Sequence, residues 1–449
     1  MPKPTLPASP AIALTLRRLV RALRVRALVV LTAGAGSLIA QAPAYPTAWD
    51  PALLTRPDVK AALAQLDRDF PNQVEEWIRI AQMVGKSEHE QARGAYVKAQ
   101  FERAGLAVRT DSMGNVTGVR KGTGGGPTIV FAAHMDIVHS VETNLGVRRD
   151  GDTLRAPGIF DNSASVANLL AAVRALNAAK VVTKGDLIFV ATVQEELGLR
   201  GMQYWFDHNP KPDLLIAMDG GLGPVSYGAL GIYWTRYRFT SEGSHTLQSR
   251  GKPTPVLAMA DAVQRIYQLQ PPPLPNGAVI NVGQVHGGVI FNGIPQDLYF
   301  TVDLRSSDPA LLDSLDRQIG RIAQEAATRA RVGLNVEIEQ KNRAGGTERM
   351  LAGARQHPLV QTAIDIQKQL GVSFGMPGAQ EALATGSTDA NIGVVAGVPS
   401  IAMGRAYGGD QHTLSEWVHW PSALQGTKLT LLLAATFGDG IRPVRPFVP

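Results

Sequence analysis

Carboxylates and histidines recur in this chain where apolar runs stop. The run 128–136, TIVFAAHMD, ends in His134, one apolar residue and Asp136. Two residues apart at a strand end, these side chains fall on the same side, because strand side chains alternate with period two. The run 186–193 ends in Gln194-Glu195-Glu196, the run 213–218 ends in Asp219, and a Gly-rich stretch further on holds His412. Asp161 adds a position at the mouth of a helix. Singly, each reads as a solvated or capping polar group. Jointly they make a set of imidazoles and carboxylates only, the donor set of a metal or catalytic site. With no cysteine in the chain, thiolate sites and disulfides are excluded, and any ion held by His, Asp and Glu is a hard or borderline one.

Such a set needs elements that converge. The apolar runs at 128–136, 186–193 and 213–218 alternate with a helix over 163–178, for which Ser163 is the expected N-cap. Strands alternating with helices predict an α/β domain with a largely parallel sheet, whose sites form outside the carboxyl ends of the strands. Upstream, 57–83 reads as one or two helices broken at Pro71, and 87–104 as a helix opened by a Ser87/Glu90 capping box. The segment 107–119 reads as strands around a Gly114-Asn115 turn, and 43–55 as a Pro- and Ala-rich linker.

The pattern changes near Gly231. Strand 232–240, helix 253–268, strands 278–285 and 296–305, helix 309–331 and strand 334–340 follow in the order β-α-β-β-α-β, the ferredoxin-like unit. The chain then returns to α/β with a helix at 358–370, a strand at 400–403 and a helix at 422–437. The expected organisation is therefore a catalytic domain in two parts, 50–230 and 344–449, interrupted by an α+β domain at 231–343.

At 449 residues the chain is long enough for two domains. Its 45% hydrophobic and 18% charged residues fit a globular protein. The pI near 9.5 suggests an anionic partner, but Lys3, Arg17, Arg18, Arg21, Arg24 and Arg26 lie in the first 42 residues with no acid among them. They account for the whole formal charge of +6. The remainder is neutral, which argues against nucleic-acid binding. An apolar run of about 14 residues at 27–40 and an Ala40-Gln41-Ala42 cleavage pattern follow, the layout of a signal peptide over 1–42. The expectation is export to periplasm or medium after cleavage behind Ala42, with no stable membrane span left, since the run is shorter than the ~20 residues a bilayer requires.

The motifs AAHMD, GIFDN, QEELG, MDGG, GQVHGGVIFNGIP, GSTDAN and the Gly-rich stretch ending at His412 resemble, in this order, those of the M20 metallopeptidases. That family includes peptidase T, glutamate carboxypeptidases and acyl-amino-acid deacylases, and the resemblance covers roughly residues 60–440. It implies that His134, Asp161 and Asp219 hold one divalent ion and that Asp161, Glu196 and His412 hold a second. A carboxylate bridge suits ions about 3.5–4 Å apart. It further implies that Glu195 is the general base and that Asp136 orients a ligand imidazole. Zinc is the first choice for the N/O donor set, with manganese and cobalt also fitting.

By the same resemblance the inserted domain is a lid and dimerisation domain. His245 in SEGSH would reach an active site across a homodimer, and Asn292 and Arg305 would hold polar groups of the substrate. Against that, Asp303 stands ready to pair with Arg305. Asn162 follows the bridging Asp161 where many members carry a second Asp, and Asp219 stands where several deacylases use Glu. Both departures lean toward peptidase T and the carboxypeptidases. The expected activity is hydrolysis of an amide bond in small peptides. The alternatives are deacylation of N-acyl amino acids and, in another class, a catalytically silent binding or assembly protein on the same fold.

Overall fold

The computed structural model describes residues 45–374 and 381–440. The Arg-rich segment, the apolar run and the cleavage pattern lie outside the described residues.

The strands Ile129–His134, Leu187–Thr192, Leu214–Met218 and Ser400–Met403 are apolar along nearly their whole length, so they suit a sheet covered on both faces. They form the parallel centre of an 8-stranded sheet. Period-two alternation splits Ile129–His134 between two cores. Ile129, Phe131 and Ala133 pack with the helices Pro57–Ala81, Ser163–Ala178 and Ala423–Gly438 on one side. Val130 and Ala132 pack with Met202, Trp205 and Phe206 of the helix Arg200–His208 on the other. Burying one large apolar side chain such as Phe131 contributes roughly 2–3 kcal/mol. Ala107–Thr110 and Val116–Arg120 form an antiparallel hairpin at the sheet edge, turning at Gly114, whose φ of +108° an L side chain rarely adopts.

A separate four-stranded antiparallel sheet is built from Ala278–Gly287, Asp297–Ser306, Gly231–Thr240 and Gly333–Asn342, in that spatial order. Tyr233, Tyr237 and Phe239, with Phe300, Val302 and Leu304, bury one face under the helices Pro255–Tyr267 and Pro309–Ala330. The opposite face carries Trp234, Arg236, Tyr299, Thr301 and Asp303. The chain enters and leaves this sheet side by side, since Ala229 and Gly345 exchange backbone hydrogen bonds of 3.1 and 2.9 Å. Among the described residues no helix is long and apolar enough to cross a membrane.

Four local expectations are corrected. Pro71 does not break its helix, which runs from Pro57 to Ala81. Leu66, Phe70, Val74 and Trp77 bury one continuous stripe through it, and that burial outweighs the ~3 kcal/mol an interior proline costs. Ser87 and Glu90 form no capping box, because the helix starts at Gln91 and both side chains serve the site described below. Asn162, not Ser163, is the residue at the N-cap of Ser163–Ala178. The stretch from Tyr45 to Thr55 is no free linker. Ala48 N donates to Thr362 Oγ1 at 2.8 Å, Trp49, Leu53 and Leu54 pack on the core, and Tyr45 stacks under Arg355.

His357 caps the helix Pro358–Gln369 by accepting from Leu359 N at 3.1 Å. Burial pushes its imidazole down from 6.5 to about 4. The unfolded chain therefore takes a proton near pH 6.5 that the folded chain refuses until about pH 4. This contribution to stability is complete above pH 6.5 and is lost as pH falls towards 4, by up to about 3 kcal/mol. His357→Asn, which keeps a capping acceptor, should flatten this acid limb. Urea unfolding at pH 7.5 and 4.5 would show it, and curves that stay parallel for both proteins would contradict it.

Candidate metal centre

The parallel strands deliver their C-terminal ends to one place. His134 is the last residue of its strand, Asp219 follows Met218 directly, and Glu195 and Glu196 follow the strand Leu187–Thr192 across a short turn. Asp161 closes the loop before Ser163–Ala178, and His412 lies in the loop after the strand Tyr407–Gly409. Gln194, Leu199 and His412 take φ values of +52°, +59° and +65°, left-handed conformations that cost non-glycine residues about 1 kcal/mol or more and cluster at functional sites.

The structure brings together His134, Asp161 and Asp219 as one group and Asp161, Glu196 and His412 as another. In each, one ligand atom per residue lies within 4.8 Å of the others. His134, Glu195 and Glu196 satisfy the same condition. His134 Nε2 is 3.3 Å from Asp161 Oδ1 and 3.9 Å from Asp219 Oδ2. His412 Nε2 is 3.1 Å from Glu196 Oε1 and 3.5 Å from Asp161 Oδ2. Asp161 thus turns one oxygen to each histidine.

These residues fit a pair of divalent ions. Asp161 Oδ1 and Glu196 Oε1 are enclosed and accept no well-aligned hydrogen bond, with Arg405 Nη2 and His412 Nε2 beside them at 3.1 Å each, so these buried carboxylates retain acceptor capacity that a bound cation would satisfy. The donor set is imidazole and carboxylate throughout.

Asp136 is fully buried and holds more than an imidazole. It accepts from Ser87 Oγ at 2.7 Å and from the backbone N–H groups of Glu195 and Glu196 at 3.0 Å each. His134 Nδ1 bonds its backbone carbonyl at 3.1 Å and lies 3.4 Å from its carboxylate, leaving Nε2 to face Asp161 and Asp219. Glu90 accepts from Gln194 N at 3.0 Å and steadies the same turn. Arg93, fully buried, donates to Met135 O at 2.8 Å and Met83 O at 3.1 Å. Trp77 Nε1 donates to Ile159 O at 2.7 Å, tying the helix Pro57–Ala81 to the Asp161 loop. Asn162 Nδ2 donates to Met218 O at 3.0 Å, a bond an aspartate in its place could not donate.

Burial above all, with Asp219, Glu196 and Asp389 nearby, holds the Glu195 carboxyl well above the usual range against the pull of His134. Contacts with Asp161 and Glu196 push His412 up to about 10. Burial alone would raise Asp161, but Arg405 and the two histidines outweigh it and hold it well below its ordinary value.

Sequence reasoning missed or left aside three groups here. Glu416 accepts from Gly158 N at 3.0 Å, Phe160 N at 2.7 Å and Asp161 N at 2.8 Å, so it shapes the loop that presents Asp161. Arg405 is completely buried, with Nη1 2.6 Å from Asp219 Oδ1 and Nη2 3.1 Å from Asp161 Oδ1. Asp389 of GSTDAN accepts from Thr192 Oγ1 at 2.6 Å, and burial raises its carboxyl to about 7. Their place beside the Gly-rich stretch around His412 and within GSTDAN was the only sequence signal, and it did not distinguish them from solvated charges.

The expected substrate residues stand apart from this cluster. His245 pairs in a two-residue bridge with Gly293, and Asn292 Nδ2 is 3.5 Å from His245 Nε2. Arg305 is engaged by Asp303, through Nε at 3.0 Å and Nη2 at 2.9 Å.

Residues 130–436 match the family model described as Peptidase family M20/M25/M40. The chain belongs to that family. An N-carbamoyl-L-amino-acid amidohydrolase of Rhizobium meliloti is 31% identical over 152 residues, 32% of this chain and 35% of that protein. The chain aligns with less than half the length of the curated relatives it matches. A tripeptidase from Staphylococcus aureus superposes with a TM-score of 0.66 at 19% identity, covering 82% of this chain and 98% of that one. A Bacillus subtilis structure described as a dinuclear metal binding M20 peptidase gives 0.57 at 15% identity, covering 82% and 98%. These likenesses establish the M20 fold, a mostly parallel α/β sheet.

Asp136→Asn sets a donor against one of the backbone N–H groups that the carboxylate now accepts. It should destabilise the fold by about 1–3 kcal/mol and speed amide exchange at 194–197, followed by hydrogen–deuterium exchange. Unchanged protection there would mean that another group holds the Glu195–Glu196 turn.

Proposed function

We propose that this chain is a di-metal amide hydrolase acting on small peptides. The observation that carries the reading is Asp161 shared between two three-residue ligand groups, with the Glu195 carboxyl beside them. In this reading His134, Asp161 and Asp219 hold one ion and Asp161, Glu196 and His412 the other. Zinc is the first choice for this borderline N/O set, and manganese or cobalt would also fit. When bound, the ion pair supplies the positive charge that polarises a scissile carbonyl and acidifies a water.

The chain's own residues do the rest. Glu195 takes the water's proton and returns it to the leaving amine. Asp136 fixes the backbone from which Glu195 and Glu196 diverge, so one can accept a proton while the other holds charge. Directly after them, at Leu197 and Arg200, a cleft of about 480 Å³ opens against the outer face of the four-stranded sheet, lined there by Trp234, Arg236, Thr301 and Asp303. Its volume and mixed polarity suit a short peptide.

Glu195→Gln should retain metal and lose turnover by about 100-fold or more, because a carboxamide accepts no proton. A panel of di- and tripeptides against N-acyl amino acids, run with zinc, manganese and cobalt, checks the substrate class. Full activity in Glu195→Gln would refute the mechanism, and turnover of acyl-amino acids alone would replace the peptidase reading with the deacylase one.

A homodimer formed through the four-stranded sheet completes the proposal. Among the described residues His245 and Asn292 contact each other and nearby backbone rather than the acidic cluster. Around them Leu247, Val285, Val289, Ile290 and Phe291 are exposed, and Ala278–Gly287 is an edge strand; apolar exposure beside an open edge supports pairing with a second copy. We also propose export, on the strength of the Arg-rich and apolar segment at 1–42. Sedimentation equilibrium and N-terminal sequencing of the expressed protein test both. A monomer would count against the first, and protein found only inside the cell with the 1–42 segment intact would count against the second.

A further inference from the structure

Arg405 is a cation inside the acidic cluster that neither base nor ligand chemistry uses. Its side chain is completely buried, its Cζ lies 4.1 Å over the Phe160 ring, and its backbone is fixed by Arg405 N to Gly220 O at 3.1 Å and Asn168 Nδ2 to Arg405 O at 2.9 Å. Nη1 sits 2.6 Å from Asp219 Oδ1. Nη2 pairs with Asp161 Oδ1 at 3.1 Å outside hydrogen-bond alignment, and Nε has no hydrogen-bond partner. For packing alone Met or Leu would serve better, since a buried guanidinium is costly to desolvate and one of its donors is left unmatched. The planar fork spanning two carboxylates is a task that arginine suits and lysine does not.

The contacts are one-sided. Arg405 touches Asp161 and Asp219, which group with His134. Among the described contacts it reaches neither Glu196 nor His412. With Oδ1 of Asp219 taken, Oδ2 is the oxygen left facing His134 Nε2. Asp161 keeps Oδ2 toward His412 while its Oδ1 is shared between Arg405 and the His134 side.

We infer that Arg405 is a built-in cation of the metal centre: it holds Asp161 and Asp219 in ligand geometry before ions bind, and it makes the His134/Asp161/Asp219 side the weaker and later-filled one. The inference rests on the di-metal reading above. An ion on that side lies within a few Å of a fixed positive charge and shares its carboxylates with it. An ion between Asp161 Oδ2, Glu196 and His412 meets no such competitor. Arg405 is in this sense a positioning residue, since it acts through the ligands and not on substrate.

The test uses the full chain stripped with a chelator, titrated with zinc in the presence of a competing chelator, together with melting of the stripped and loaded forms. Wild type should bind two ions in classes separated by about tenfold or more. Arg405→Met should tighten the weaker class by about tenfold, narrowing the gap, and should lower the Tm of the stripped protein more than that of the loaded one, because bound ions replace the lost charge. Arg405→Lys, which keeps charge and loses the fork, should keep the gap and still lower the stripped Tm. If Arg405→Met does not fold, Arg405→Lys decides alone, and a vanished gap there overturns the inference. Unchanged affinities in Arg405→Met with equal losses of Tm in both forms would reduce Arg405 to a packing role. Two equal sites in wild type would overturn the inference while leaving the di-metal reading intact, whereas no bound zinc at all would remove both.

Discussion

Buried negative charge is the constraint on which this structure turns. Asp136, Asp161, Glu195, Glu196, Asp219 and Asp389 crowd the C-terminal ends of one set of parallel strands, and Asp136 and Asp389 are all but inaccessible. Two such charges 4 Å apart repel by about 4 kcal/mol at the effective dielectric of a protein. The chain meets this with several devices. Backbone N–H groups converge on Asp136 and, one loop away, on Glu416. Arg405 and two imidazoles supply positive charge inside the cluster, and burial lifts Asp389 and Glu416 to about 7, so that neither need carry a full charge. Oxygens on Asp161 and Glu196 still accept no aligned hydrogen bond, although Arg405 and His412 lie 3.1 Å from them. That remainder is what a pair of divalent ions suits.

Holding the groups there is the work of sheet topology. Pairing continues past the strand ends, with Met135 N bonded to Thr192 O at 2.7 Å and Asp219 N to Met403 O at 3.0 Å. A Cβ on Gly404 would come within 1.9 Å of Gly221 O, so only glycine allows the approach that sets Arg405 beside Asp219. His134 and His412, far apart in sequence, face one carboxylate although their strands lie in different sheets. Tyr407–Gly409 pairs with Trp417–His419, and Leu222 N donates to Ala406 O at 2.9 Å beside it, tying it to the end of the large sheet. The antiparallel sheet contributes differently, offering a polar outer face to the cleft that opens at Leu197 and Arg200.

Much of this was legible in the sequence. Uninterrupted apolar strands, period-two patterns and turn residues marked the strands that end at His134 and Asp219 and the β-α-β-β-α-β order between residues 231 and 342. The residue types at strand ends marked the acidic and His cluster, whereas its division into two ligand groups came from the family resemblance. What escaped was non-local. Ser87 and Glu90 carry the spacing of a capping box, and only the fold shows that Asp136 and the Gln194 backbone claim them instead. Pro71 reads as a break until the stripe on both sides of it is seen to be buried. Arg405 and Glu416 look like ordinary charges beside a Gly-rich turn, because burial that arises from distant segments leaves no mark on local pattern. Arg305 illustrates the reverse: its planar fork suits a carboxylate ligand, and the fold gives it Asp303.

The central claim is that Asp161 bridges two ions. Anomalous diffraction at the zinc edge, from crystals of the full chain grown with zinc, tests it most directly. The account predicts two peaks about 3.5–4 Å apart on either side of the Asp161 carboxylate, one beside His134 and Asp219 and the other beside Glu196 and His412. A single peak that Asp161 does not touch, or density confined to surface histidines, would contradict it.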